Sequence, residues 1–130
     1  MENEITVYPG KHLLIDCWHC TNYHDLEIIE RAMRDAAEAC GAKVLDVLLH
    51  AFDDGNNDED GVESGVTGVA ILAESHITIH TWPEIEYIAL DVFMCGSCDP
   101  DKAIAVFEDM FNPQKIQVHT HGRGKTAMLE

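Results

Sequence analysis

The segment Ile71 to Glu84, ILAESHITIHTWPE, sets one serine, two histidines, two threonines and a tryptophan between two glutamates. Ser75 follows Glu74 where the pattern makes a tight connection between two strands, a place where a peptide bond can be held against its own side chain. A serine hydroxyl so placed can attack the preceding peptide carbonyl once a base takes its proton. His80, close by on the adjoining strand, is a candidate for that proton work. Spacing alone does not choose this chemistry over an ordinary Ser/His strand. Alternation sends His76, Thr78, His80 and Trp82 to one side and Ile77, Ile79 and Thr81 to the other, as on any half-buried strand.

Five cysteines offer a second chemistry. Cys17-Trp-His-Cys20 and Cys95-Gly-Ser-Cys98 both have C-x-x-C spacing, at which two thiolates can grip one tetrahedral zinc. An odd count without an export signal argues against a disulfide framework. His119 and His121 alternate on the last predicted strand and read as solvated edge residues. His12 reads as a structural histidine.

These residues need elements to position them. KHLLIDCW (Lys11 to Trp18) reads as a strand after Pro9-Gly10. A helix is expected from Asp25 to Cys40, where Leu26, Ile29, Met33, Ala36 and Ala37 keep helical spacing, with Gly41 as a left-handed stop. Lys43 to Phe52 is a second strand. Asp53 to Gly65, nearly all acid, Asn and Gly, is a solvated loop. Strands are expected at Val66 to Ala73, His76 to Trp82 and Tyr87 to Met94. Asp99 is the expected N-cap of a second helix, with Pro100 at its first position and Ile104, Phe107, Met110 and Phe111 as its buried stripe. KIQVHTH closes the pattern as a strand. The order β-α-β-β-β-β-α-β predicts an α+β fold, a two-layer α/β sandwich with one mainly antiparallel sheet and both helices on one face. The other face needs cover, which a second subunit can supply.

Length and composition fit one domain, residues 1–130, with 46% apolar residues to build its core. A net charge of −16 repels phosphate backbones and anionic lipid, so no nucleic acid and no membrane partner is expected. The same charge serves solubility or attraction of a cationic substrate. No apolar run approaches a membrane span, and MENEITVYPG lacks the order of a signal peptide, so a cytoplasmic location is expected.

ESHITIHTWPE together with ALDVFMCG (Ala89 to Gly96) resembles the processing site and following strand of the S-adenosylmethionine decarboxylase proenzymes of bacteria and archaea. The likeness runs loosely from GKHLLIDC at Gly10 to HGRGK ending at Lys125. It implies an enzyme that makes its own cofactor. Cleavage between Glu74 and Ser75 gives a 1–74 β chain and a 75–130 α chain. An N-to-O acyl shift yields an ester, β-elimination follows, and Ser75 becomes a covalent pyruvoyl group. Such a ketone forms a Schiff base with a substrate amine and drains electrons from the breaking Cα–carboxylate bond.

By this resemblance Ser75 is the pyruvoyl precursor and His80 the proton acceptor in processing. Cys95 is the acid that protonates the substrate carbon after CO2 leaves. Thr67 stands where relatives often carry serine as a hydroxyl assisting cleavage. Phe52 aligns with an aromatic that stacks on adenine, and Glu84 is assigned to the ribose hydroxyls. An acid at Cys95 excludes zinc there, because a metal-bound thiolate cannot protonate a carbon, and no metal is expected.

The implied substrate is S-adenosylmethionine and the implied product feeds spermidine and other polyamine synthesis. Arginine or ornithine decarboxylation by the same pyruvoyl chemistry is the alternative. An inactive regulatory paralogue is a third reading, opposed by intact Ser75, His80 and Cys95. The acidic insert at Asp53 to Gly65 departs from the short relatives and suits a guanidinium, an ammonium or a sulfonium alike. Phe52 and Glu84 favour the adenosyl substrate. The resemblance also implies a homodimer of cleaved protomers with active sites at or near the interface.

Overall fold

The computed structural model describes residues 7–52 and 65–129. The acidic segment, apart from Gly65, lies outside the described residues. The elements run β1 (Gly10–Trp18), α1 (Leu26–Ala39), β2 (Lys43–Ala51), β3 (Val66–Ala73), β4 (Ser75–Trp82), β5 (Tyr87–Cys95), α2 (Ala103–Phe111) and β6 (Lys115–Arg123). The six strands form one sheet in the order β2-β3-β4-β5-β1-β6. Every neighbouring pair is antiparallel, so the sheet is wholly so. Chain-adjacent strands pair from β2 to β5, and β1 inserts between β5 and β6.

Local chemistry sets the helix ends. The Asp25 carboxylate caps α1 by accepting from the amides of Glu27 and Ile28 at 3.1 and 3.2 Å. Gly41 follows that helix at φ +90°, the left-handed stop the sequence predicts. Asp99 caps the second helical segment at the amide of Asp101. Pro100 opens a 3-10 turn, Pro100–Lys102, and α2 begins only at Ala103. In α1 the buried stripe is Ile29, Ala32, Met33, Ala36 and Ala37, whereas Leu26 is exposed.

The helices and one sheet face share a single core. Leu13, Ile15 and Cys17 of β1, Ile77 and Ile79 of β4, and Ile88, Leu90, Val92 and Met94 of β5 pack there with the α1 stripe, Phe107 and Phe111. Each buried Val, Leu, Ile, Met or Phe among them contributes about 1.5–3 kcal/mol by leaving water. Thr81 is the polar member of this face, 1% exposed, its hydroxyl accepting from the amide of Val66 at 2.9 Å. The opposite face carries no helix among the described residues and presents Leu48, Ile71 and Phe52, each about half exposed or more.

Cross-strand pairing fixes which side chains share that open face. His50, Thr67, His80 and Ala89 form one row, because His50 pairs with Thr67, Thr67 with His80, and His80 with Ala89. Asp46, Ile71, His76, Phe93, His12 and His121 form another. The Phe93 ring lies against Gly10, where any Cβ would fall 2.7 Å from it. No described helix is long and apolar enough to cross a membrane.

Candidate active site

Ser75 opens β4 and is joined to β3 through the single residue Glu74. So short a link leaves the Ser75 side chain beside its own preceding peptide. Its hydroxyl donates to the carbonyl oxygen of Glu74. Cys95, the last residue of β5, reaches the same place because β4 and β5 pair antiparallel from His76↔Phe93 onward. Its thiol lies 3.8 Å from Ser75 Oγ and donates to the Glu74 carbonyl oxygen at 3.3 Å. A second acceptor, Glu74 Oε1, is 3.5 Å from the same sulfur. Two proton donors therefore converge on one peptide oxygen, which draws electron density from its carbonyl carbon.

The cavity beside this cluster measures about 230 Å³ and is lined by Gly41, Ala73, Glu74, Cys95, Gly96, Ser97 and Cys98. That is below the ~300–1,000 Å³ usual for a ligand site. A larger ligand would have to extend beyond it.

A second cluster lies at the far end of β4. His80 Nδ1 is 2.7 Å from Thr67 Oγ1, directly across the β3–β4 ladder. The His80 ring sits 4.1 Å from that of Trp82 and 6.3 Å from that of Phe52. This makes a ribbon of rings that continues from Trp82 to Tyr87 and Trp18 at 5.0 and 5.7 Å. The Tyr87 hydroxyl donates to Asp16, and burial followed by that carboxylate pushes the phenol above its ordinary range. Glu84 stands in the 3-10 turn Pro83–Ile85 just beyond this end and is exposed.

The structure thus brings Ser75, Glu74 and Cys95 together, and separately Phe52, Thr67 and His80. It does not bring the two sets together within one chain. The sequence reading set His80 close to Ser75, yet Ser75 is itself the first residue of the strand that carries His80. Five residues of strand span about 16 Å, too far for the two side chains to meet.

Two features lay beyond the sequence reading. One is the contact of Glu74 with Cys95, invisible without the β4–β5 register. The other is the aromatic ribbon, whose signal was present as Trp82 and Tyr87 flanking a short Pro-containing turn. The two C-x-x-C pairs also prove to be remote from each other. Cys95 pairs with Gly10 and Cys17 with Ile88, at opposite ends of β1 and about 23 Å apart. Four thiolates on one zinc are excluded by that distance. Among the described residues no three of His, Cys, Asp or Glu are grouped to hold a metal.

Residues 11–124 match the family profile of S-adenosylmethionine decarboxylase. The chain is 40% identical over 116 residues to the S-adenosylmethionine decarboxylase proenzyme of Thermomicrobium roseum, covering 88% of this chain and 93% of that one. It is 42% identical over 118 residues to the proenzyme of the same name from Methanococcus maripaludis, covering 88% and 89%. The fold superposes on the crystal structure of the adenosylmethionine decarboxylase from Aquifex aeolicus with a TM-score of 0.73 and 30% identity, over 90% of this chain and 92% of that one.

Proposed function

This chain belongs to the S-adenosylmethionine decarboxylase family, and from that premise we propose that it cleaves itself at Glu74-Ser75 and uses the resulting pyruvoyl group to decarboxylate S-adenosylmethionine. It is a carboxy-lyase made as a proenzyme. The observation that carries the cleavage site is the Ser75 hydroxyl resting against the Glu74 carbonyl while Cys95 donates to the same oxygen.

In processing, Ser75 Oγ forms a bond to the Glu74 carbonyl carbon as the peptide C–N bond breaks, leaving an ester. Loss of the Ser75 α-proton then expels Glu74 as a new carboxyl terminus, and hydrolysis of the dehydrated residue releases ammonia. Once formed, the ketone at residue 75 supplies the electron sink for loss of the substrate carboxylate. Cys95, within 3.8 Å of Ser75 Oγ, is placed to hand a proton to a carbon held at residue 75. Phe52 offers an exposed ring to a flat base, and Glu84 an exposed carboxylate to a diol or a cation. These two favour the adenosyl substrate over arginine or ornithine. The decarboxylated product serves as an aminopropyl donor in spermidine synthesis.

The working unit in this reading is a homodimer formed by the open sheet faces. Two copies related by a two-fold axis perpendicular to their strands lay the Thr67–His80 end of one sheet over the Ser75–Cys95 end of the other. His80 of the partner subunit then takes the proton that the same chain's His80 cannot reach. This packing also covers Leu48, Ile71 and Phe52 and enlarges a cavity that one chain leaves too small.

Mass spectrometry of freshly expressed protein tests the proposal. Two fragments, 1–74 and 75–130, the latter with a blocked N-terminus that borohydride couples to S-adenosylmethionine, are the expected result. A chain that stays whole under conditions where it is folded overturns it.

A further inference from the structure

Cys98 shares the cavity wall with Cys95 and is left unused by the chemistry above. Its amide donates to the Cys95 carbonyl oxygen at 3.5 Å, closing a four-residue turn through Gly96, which sits at φ +66°. A turn of this kind holds its first and fourth Cα atoms within about 7 Å. Disulfides bridge Cα separations of about 4.4–6.8 Å. Both cysteines are partly exposed, and Gly96 and Ser97 between them are exposed, which opens the pair to a small oxidant.

The third thiol of the neighbourhood, Cys40, is a poor competitor. It caps the end of α1, and its carbonyl accepts from the Asp99 amide at 3.0 Å. Burial first, then the charges of Asp99 and Cys98, push its thiol up to about 11, so it stays protonated and weakly nucleophilic at neutral pH.

We propose that Cys95 and Cys98 are a reversible redox pair, in which hydrogen peroxide oxidises Cys95 and Cys98 captures it as a Cys95–Cys98 disulfide. The Cys95 sulfur attacks one peroxide oxygen, the O–O bond breaks, and a sulfenic acid forms as one water leaves. The Cys98 sulfur then attacks the Cys95 sulfur, the S–O bond breaks, and a second water leaves. The two thiols give up two electrons and two protons, and the peroxide is reduced to two waters. A small dithiol reverses the bridge by exchange. The pair forms independently of the role given to Cys95, but its effect on rate rests on that role. With the sulfur tied up, no proton reaches the substrate carbon.

The test treats processed wild-type enzyme and Cys98→Ser with hydrogen peroxide, then dithiothreitol, and compares each with its own reduced rate. In wild type the peptide holding both cysteines should lose two hydrogens and the rate should fall about 10²-fold or more, as on loss of a general acid. Dithiothreitol should restore both. In Cys98→Ser the residue 95 sulfur should instead gain two oxygens and stay inactive after dithiothreitol. Wild type that accumulates the same over-oxidised Cys95, or that bridges Cys40 to Cys98, overturns the pair. A mapped Cys95–Cys98 bridge with undiminished rate leaves the pair standing and removes Cys95 from the proton step.

Discussion

Ser75 and His80 occupy one strand, five residues and about 16 Å apart, with Ser75 at its start beside Cys95. His80 is tied instead to Thr67 across the ladder, 2.7 Å from its hydroxyl. In the proposed dimer the uncovered face lets a second copy bring its own His80 to Ser75.

That relationship makes complementation decisive. Ser75→Ala alone should remain uncleaved, and His80→Ala alone should be cleaved about 10²–10⁴-fold more slowly. Co-expressed, the His80→Ala chains paired with Ser75→Ala partners should be cut, because those partners still carry His80. Equal cleavage of His80→Ala with and without the partner places the acceptor within one chain.

Thr67 should act through its hydroxyl. Thr67→Ser keeps the bond to His80 and should cleave at the wild-type rate. Thr67→Val keeps the shape but loses the bond, and cleavage should slow by about 5–10-fold, the kinetic equivalent of ~1 kcal/mol. A time course on a denaturing gel reads both.

Cys95 separates processing from turnover. In Cys95→Ala that has been cleaved, CO2 release should fall about 10²–10⁴-fold, and any product should show misplaced protonation at the substrate carbon. Unchanged release of labelled CO2 removes Cys95 from the proton step.

Alkaline stability should follow Cys40. Its folded pKa of about 11 lies above the ordinary 9.0, chiefly through burial, so the neutral thiol is the form the fold favours. The associated stability is fully present below pH 9 and is lost as pH rises through about 11. Urea titrations of the uncleaved Ser75→Ala chain should show a declining midpoint over that window, and a shallower decline in Ser75→Ala/Cys40→Ala.

The core makes its own prediction. Phe107 is fully buried with its ring centroid 6.2 Å from that of Phe111, so Phe107→Ala should cost about 3–5 kcal/mol in the same background. A loss under ~1 kcal/mol means that α2 does not seal the core as described.

Much of the fold was legible because its signals are local. The alternation of β4 and β5, the Asp99 cap and the Gly41 stop all act within a few residues, and each appears where the pattern puts it. Boundaries moved by a residue or two. Ser75 joins β4 instead of preceding it, and the strand ahead of Gly96 runs on to Cys95. The helix expected to start at Pro100 does so as a 3-10 turn. Leu26 kept helical spacing yet stays exposed, since spacing names a face but not the extent of its cover.

The block ESHITIHTWPE by itself determined the family and the residue types available for chemistry, because a nucleophile and the carbonyl it attacks are neighbours in the chain. Which side chains meet across the sheet was decided only by tertiary structure. Cys95 reaches Glu74 over more than twenty residues through the β4–β5 register, while His80, far closer in sequence, lies at the far end of β4. An extended strand separates residues along its length and flips them at every step. Closeness in sequence therefore says little about contact until the pairing of strands is known.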